Sequence, residues 1–220
     1  KYTEKLNSDE RPKNIKSGFP RLDFYLNGGF GYGDLIILAA RPAMGKTALA
    51  LNIAYNVCRI NHTPVLFFSL EMQGNQLLNR LISSLGNLDS NIVQNMNFNQ
   101  KQDLLKLENA FTKLKDEPLY IDDTPGLKLA DFRAKARKMK AQFPNLGLIV
   151  VDYLQLIKCE ASSREQEVAK VAREFKEIAR ELDVPVLSLA QVNRRADMST
   201  GKGESKVSKR PELSDLRESG

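Results

Sequence analysis

No apolar run in this sequence approaches the length of a membrane span, which excludes a transmembrane helix from this stretch of chain. Cysteine is scarce. Cys58 and Cys159 stand far apart with no metal-ligand spacing, so both are expected as buried, reduced thiols. The polar opening Lys1-Tyr2-Thr3-Glu4-Lys5 lacks the apolar stretch of a secretory leader, and no internal repeat is visible. These absences point to the cytosol. Aromatic residues are missing after Tyr153 except for Phe175, which removes base stacking as a role for the C-terminal stretch.

What is present is ordinary for a globular domain: 220 residues, 42% hydrophobic and 27% charged. That length supports one α/β domain with a well-buried sheet. A net charge of +6 suits a polyanionic partner, and equally a solvated basic surface.

The most informative stretch is Ala40-Arg41-Pro42-Ala43-Met44-Gly45-Lys46-Thr47, between the apolar run Leu35–Ala39 and a helical run opening at Ala48. A strand, a tight loop ending Gly-Lys-Thr and then a helix is the arrangement that cradles a nucleoside triphosphate. Loop amides and the helix dipole point at the phosphates. Lys46 reaches the outer phosphates, and the Thr47 hydroxyl ligates magnesium. The residues expected to line the nucleotide are therefore Ala40, Arg41, Pro42, Ala43, Met44, Gly45, Lys46, Thr47 and Ala48. The usual pattern begins with glycine, and here Ala40 takes that place.

Residues 1–16 are polar and read as a linker or N-terminal arm with little core potential, leaving 17–220 as the folded domain. Gly28-Gly29-Phe30-Gly31-Tyr32-Gly33-Asp34 is a glycine-rich turn feeding the first strand. Strands are expected at Val65–Leu70, Leu119–Ile121, Leu148–Val151 and Val186–Ala190, alternating with helices near 46–59, 76–85, 100–114, 129–143 and 164–182. Helix 164–182 carries Val168, Ala172, Phe175, Ala179 and Leu182 along one face. This alternation implies an α/β fold, a mostly parallel central sheet with helices on both faces.

In such sheets ligands bind beyond the carboxyl ends of the strands, where Lys46, Thr47, Glu71, Asp152 and Gln191 all gather. Asp152 ends an apolar run and suits a magnesium-site carboxylate, with a helix cap as its competing role. Glu71 is placed to activate an attacking water, or is simply an acid favoured by the next helix dipole. Gln191 can donate and accept at once, as a sensor of the terminal phosphate must. Asp122 and Asp123 precede Thr-Pro-Gly and read as turn residues. From Arg194 to Arg210, six basic residues face two acidic ones, a composition suited to a phosphodiester backbone or to a solvated loop. The basic helix carrying Arg133, Lys135, Arg137, Lys138 and Lys140 reads as a solvated or subunit-facing surface.

Taken together, Ala-Arg-Pro-Ala-Met-Gly-Lys-Thr at 40–47, Phe-Ser-Leu-Glu-Met at 68–72, Val-Asp-Tyr-Leu-Gln-Leu at 151–156, Gln-Val-Asn-Arg at 191–194 and Ser-Asp-Leu-Arg-Glu-Ser-Gly at 214–220 resemble the motor domain of DnaB-type replicative DNA helicases, which are RecA-like P-loop ATPases. The loop variant beginning with alanine is usual in that family. The resemblance implies that Glu71 is the catalytic glutamate, acting with Lys46 and Gln191, and that Thr47 and Asp152 form the magnesium site. It implies ATP and Mg2+ as ligands, and contact of Arg194, Arg195, Arg217, Glu218 and Gly220 with single-stranded DNA. It further implies a homo-hexameric ring that moves 5′ to 3′, hydrolyses ATP at subunit interfaces and works in the replisome. Primase and a helicase loader are implied partners through parts of a longer protein. The family's arginine finger lies downstream of the Arg217–Gly220 motif, so the chain reads as a piece truncated at its C-terminal end. A RecA-like recombinase, a regulatory hexameric ATPase and a nucleotide kinase are the other uses of such a loop.

Overall fold

The computed structural model of the chain describes residues 14–96, 98, 100–157 and 164–191. Their elements, in chain order, are α1 (Pro20–Tyr25), β1 (Leu35–Ala40), α2 (Lys46–Asn61), β2 (Val65–Ser69), α3 (Gly74–Gly86), α4 (Ser90–Asn95), α5 (Lys101–Leu114), β3 (Leu119–Asp122), α6 (Leu129–Gln142), β4 (Leu148–Asp152), a 3-10 turn (Leu154–Leu156), α7 (Arg164–Leu182) and β5 (Val186–Gln191). The strands form one five-stranded sheet ordered β1-β5-β4-β2-β3. Every pairing in it is parallel. Strands β2 and β4 are buried along their whole length, as near-continuous apolar runs in a doubly covered sheet should be.

Alternation along the strands divides the core into two layers. Leu66, Phe68, Ile149, Val151 and Val186 face one side, where Phe132, Ala136, Phe175 and Ile178 of α6 and α7 cover them. Val65, Phe67, Leu148, Val150, Leu187 and Leu189 face the other, against Ala50, Leu51, Ile53, Ala54 and Val57 of α2. A satellite cluster of Ile82, Leu88, Val93 and Ala110 joins α3, α4 and α5. The expected apolar face of α7 holds, since Phe175, Ala179 and Leu182 are buried with Val168 and Ala172 packed beside them.

Several expectations need correction. Ile15, assigned by composition to the polar arm, is 3% exposed. Its amide donates to Phe30 O at 2.9 Å and its carbonyl accepts from Phe30 N at 2.8 Å. Gly29 makes that bridge possible: at φ 127 it lies so close to the Ile15 carbonyl that a side chain there would collide with it. The segment between the expected helices 76–85 and 100–114 contains a further helix, α4, started by Asp89, whose side chain accepts from Asn91 N at 2.7 Å. The basic face of α6 is solvent-facing in part, with Arg137 and Lys138 exposed, yet three of its residues, Arg133, Lys135 and Arg137, also form ion pairs. Arg133 lies 3.0 Å from Glu174, and Arg137 pairs with Glu181 at 2.6 Å, tying α6 to α7. Cys58 is buried as expected, and burial pushes its thiol up to about 12. Cys159 lies outside the described residues.

Candidate nucleotide-binding site

The loop after β1 owes its shape to two left-handed residues, Ala43 at φ 63 and Gly45 at φ 81. Gly45 is the N-cap of α2 and offers no side chain to the first turn. The amides of Lys46, Thr47 and Ala48 therefore open onto the carboxyl edge of the sheet without a side-chain cap, as an anion cradle requires. Ala40 is the last residue of β1 and pairs in register with Gln191, while 41–45 form the loop proper.

The strand order brings the distant residues to this loop. Asp152 ends β4, on the same face of the sheet as Leu148 and Val150, which is the face that α2 covers. Gln191 follows Leu187 and Leu189 on the same face and ends β5, which runs between β1 and β4. Thr47 Oγ1 donates to Asp152 Oδ2 at 2.7 Å. Lys46 Nζ stands 3.9 Å from Asp152 Oδ1 and 4.7 Å from the centre of the Tyr153 ring. Asp152 is fully buried, and its Oδ1 accepts no hydrogen bond.

Burial works against the charged form of both groups. It pushes the Asp152 carboxyl up, against the Thr47 hydrogen bond and the charges of Lys46 and Arg80. It pushes the Lys46 ammonium down, against the attraction of Asp152 and Glu71. A magnesium ion fits this donor set. One carboxylate oxygen is buried with no hydrogen bond, and a hydroxyl lies beside it; magnesium bound with nucleotide takes its other ligands from phosphate and water. Among the described residues no group of three His, Cys, Asp or Glu side chains stands ready to hold a metal by itself.

Glu71 lies two residues past β2, exposed, in the turn 70–73 before α3. It is near enough for its charge to act on Lys46. Sequence reasoning missed the roles of three residues. Arg80 of α3 carries its charge toward Asp152. Its position follows from helix register: Ser84 Oγ donates to Asn52 Oδ1 at 3.1 Å, and Arg80 sits one turn closer to the site. Gln155 Nε2 donates to the Gln191 carbonyl at 3.4 Å, linking the turn after β4 to the end of β5. Asp123 is more than a turn residue, because its Oδ2 accepts from Gly74 N at 2.8 Å and tethers the start of α3. Asp122 does make the expected turn, its Oδ1 accepting from Thr124 N at 3.1 Å, and it also pairs with Lys135. Arg194, Arg195, Arg217, Glu218 and Gly220 lie outside the described residues.

Comparison with known proteins adds the family. The family model for the DnaB-like helicase C-terminal domain matches residues 14–220. The chain belongs to this family. It is 45% identical over 209 residues to the replicative DNA helicase DnaC of Bacillus subtilis (strain 168), covering 94% of this chain and 44% of that protein. It is 44% identical over 219 residues to the replicative DNA helicase DnaB of Geobacillus stearothermophilus, covering 97% of this chain and 46% of that one. The chain thus spans less than half the length of these DnaB-like relatives. Among solved structures, an ATPase domain superposes with a TM-score of 0.86 at 33% identity, covering 99% of this chain and 75% of that one. A DnaB-like replicative helicase, from a structure that describes its interactions with primase, gives the same score and identity, covering 100% of this chain and 52% of that one. The RecA-like architecture expected from the motifs is therefore the fold of this DnaB-like domain.

Proposed function

We propose that this domain is the ATP-hydrolysing motor of a replicative DNA helicase, which moves on single-stranded DNA and opens duplex at the fork. The observation that carries the reading is the Thr47–Asp152 contact, which assembles the two halves of a nucleotide site at the edge where Lys46, Glu71 and Gln191 also end. The loop amides and Lys46 hold the triphosphate of ATP. Thr47 and Asp152 hold Mg2+, which when bound neutralises charge on the phosphates. Glu71 accepts the proton of the attacking water. Gln191, at the end of β5, bonds the terminal phosphate and reports its loss to the chain that follows, where Arg194, Arg195, Arg217, Glu218 and Gly220 contact the DNA backbone. The working form is a homo-hexamer with 5′-to-3′ movement, whose arginine finger comes from the neighbouring subunit. Primase and a loader bind through other parts of the full-length protein, in the cytoplasm. Among the described residues no helix is long and apolar enough to cross a membrane.

The test uses full-length protein. ATP hydrolysis should be stimulated by single-stranded DNA, a forked substrate should be unwound, and Glu71→Gln should cut hydrolysis to a small residual rate and abolish unwinding. Hydrolysis indifferent to DNA, with Glu71→Gln equal to wild type, would overturn the reading.

A further inference from the structure

The turn that carries Glu71 belongs to neither β2 nor α3, and Glu71 itself is exposed. A general base must nevertheless sit within a few tenths of an ångström of its working position, since a small misplacement costs orders of magnitude in rate. Something outside regular secondary structure has to fix it.

Ser69 occupies the position that can. It is the last residue of β2, 2% exposed, on the face shared with Val65 and Phe67 and opposite Asp152 in the ladder. Its hydroxyl donates to the carbonyl of Met72 at 2.6 Å, closing a ring around Leu70 and Glu71. The next amide, Leu70 N, donates to the carbonyl of Asp152 at 2.8 Å. Beyond the turn, Gly74 N is held by Asp123 Oδ2 at 2.8 Å. Glu71 is thus suspended between two anchors, and the Leu70 amide beside it bonds the backbone of the proposed magnesium-site residue. A serine at the end of an otherwise apolar strand brings a hydroxyl into the core rim, where it is tolerated only when bonded. Here its bond spans the turn.

We infer that Ser69 is a positioning residue for Glu71: its hydroxyl closes the 70–72 turn, which the Leu70 amide ties to Asp152, so that base and magnesium site keep one geometry through turnover. The inference rests on the hydrolytic reading above. It concerns kcat, because the Ser69 hydroxyl donates to the Met72 carbonyl rather than to a group of the phosphate loop.

The experiment is a double-mutant cycle in full-length protein, read by steady-state ATP hydrolysis and by binding of a fluorescent ADP. Ser69→Ala should lower kcat about tenfold or more, with KM and ADP affinity within about twofold. Ser69→Thr, which keeps the hydroxyl, should recover most of the rate. In a Glu71→Gln background Ser69→Ala should add nothing, because the group it positions is already gone. An unchanged kcat, an equal loss in both backgrounds, or no recovery with threonine would each overturn the inference. If Glu71→Gln alone leaves hydrolysis intact, the hydrolytic reading falls and this inference with it. Should Ser69→Ala fail to fold, Ser69→Cys keeps the side-chain shape and leaves only a weak donor. A kcat loss at constant KM is then expected, and an unchanged kcat overturns the inference.

Discussion

Thr47 Oγ1 and Asp152 Oδ2 lie 2.7 Å apart across 105 residues of chain, and that hydrogen bond closes the candidate site. It exists because β5 alone separates β1 from β4, so the loop after one strand meets the last residue of another.

Asp152→Asn should separate stability from activity. Burial raises the Asp152 proton affinity in the folded state, so its ionised form costs stability. For a raised carboxyl the stabilising contribution is full below its unfolded value, about 4, and is lost as pH rises through the higher folded value. At neutral pH the cost is present, and asparagine removes it. Differential scanning fluorimetry of nucleotide-free protein should show Tm higher by about 2–4 °C. Magnesium-dependent hydrolysis should fall by about 10–100-fold. A lower Tm would contradict the electrostatic argument.

Arg80→Ala should weaken binding of magnesium ATP by about tenfold, as loss of a charged hydrogen bond does. The expectation rests on the register that the Ser84–Asn52 bond gives α3 against α2. Calorimetric titration with a non-hydrolysable analogue would measure it, and an unchanged affinity would place Arg80 outside the phosphate site.

Phe132→Ala should cost about 3–5 kcal/mol in urea unfolding. Its ring is fully buried between Phe68 at 4.8 Å and Phe175 at 4.7 Å, and so joins the sheet to α6 and α7 in one stack. A loss below about 1 kcal/mol would mean that the layer closes over the cavity.

Asp122→Asn tests the acid limb. Partial burial pushes the Asp122 carboxyl up, but hydrogen bonds from Lys135 and Thr124 outweigh it and hold it below the usual range. A depressed carboxyl contributes stability above its unfolded value that is lost as pH falls through the lower folded one. The variant should be less stable at neutral pH by under about 1 kcal/mol, because the pair is partly exposed to solvent. Its Tm should also fall less steeply on acidification below about pH 4.

Replacing Arg194 and Arg195 by alanine in full-length protein should reduce the salt dependence of single-strand binding by about 0.7 in log–log slope for each arginine. A slope equal to wild type would remove both from the DNA contact.

The sequence by itself determined the elements whose chemistry is contiguous. The loop from Arg41 to Thr47 is a run of neighbours, and its glycine, lysine and threonine announce phosphate wherever the fold places them. The apolar runs of β2 and β4 fit only a doubly covered sheet, and each ended in or beside an acid or amide, so the reactive edge was legible without a structure. That loop and the strand ends at Glu71, Asp152 and Gln191 also carried the family resemblance. Tertiary structure alone decided what depends on strand order and helix register. It seated β5 between β1 and β4, so that Thr47 meets Asp152 and Ala40 pairs with Gln191. It turned Ser69, a small polar residue with no local signal, into the anchor of the turn that carries Glu71. It drew Ile15 out of the polar arm and Asp123 out of its turn. The physical reason is the same throughout. Propensity and polarity act within a few residues, whereas these contacts join segments that only the packed sheet brings within hydrogen-bonding distance.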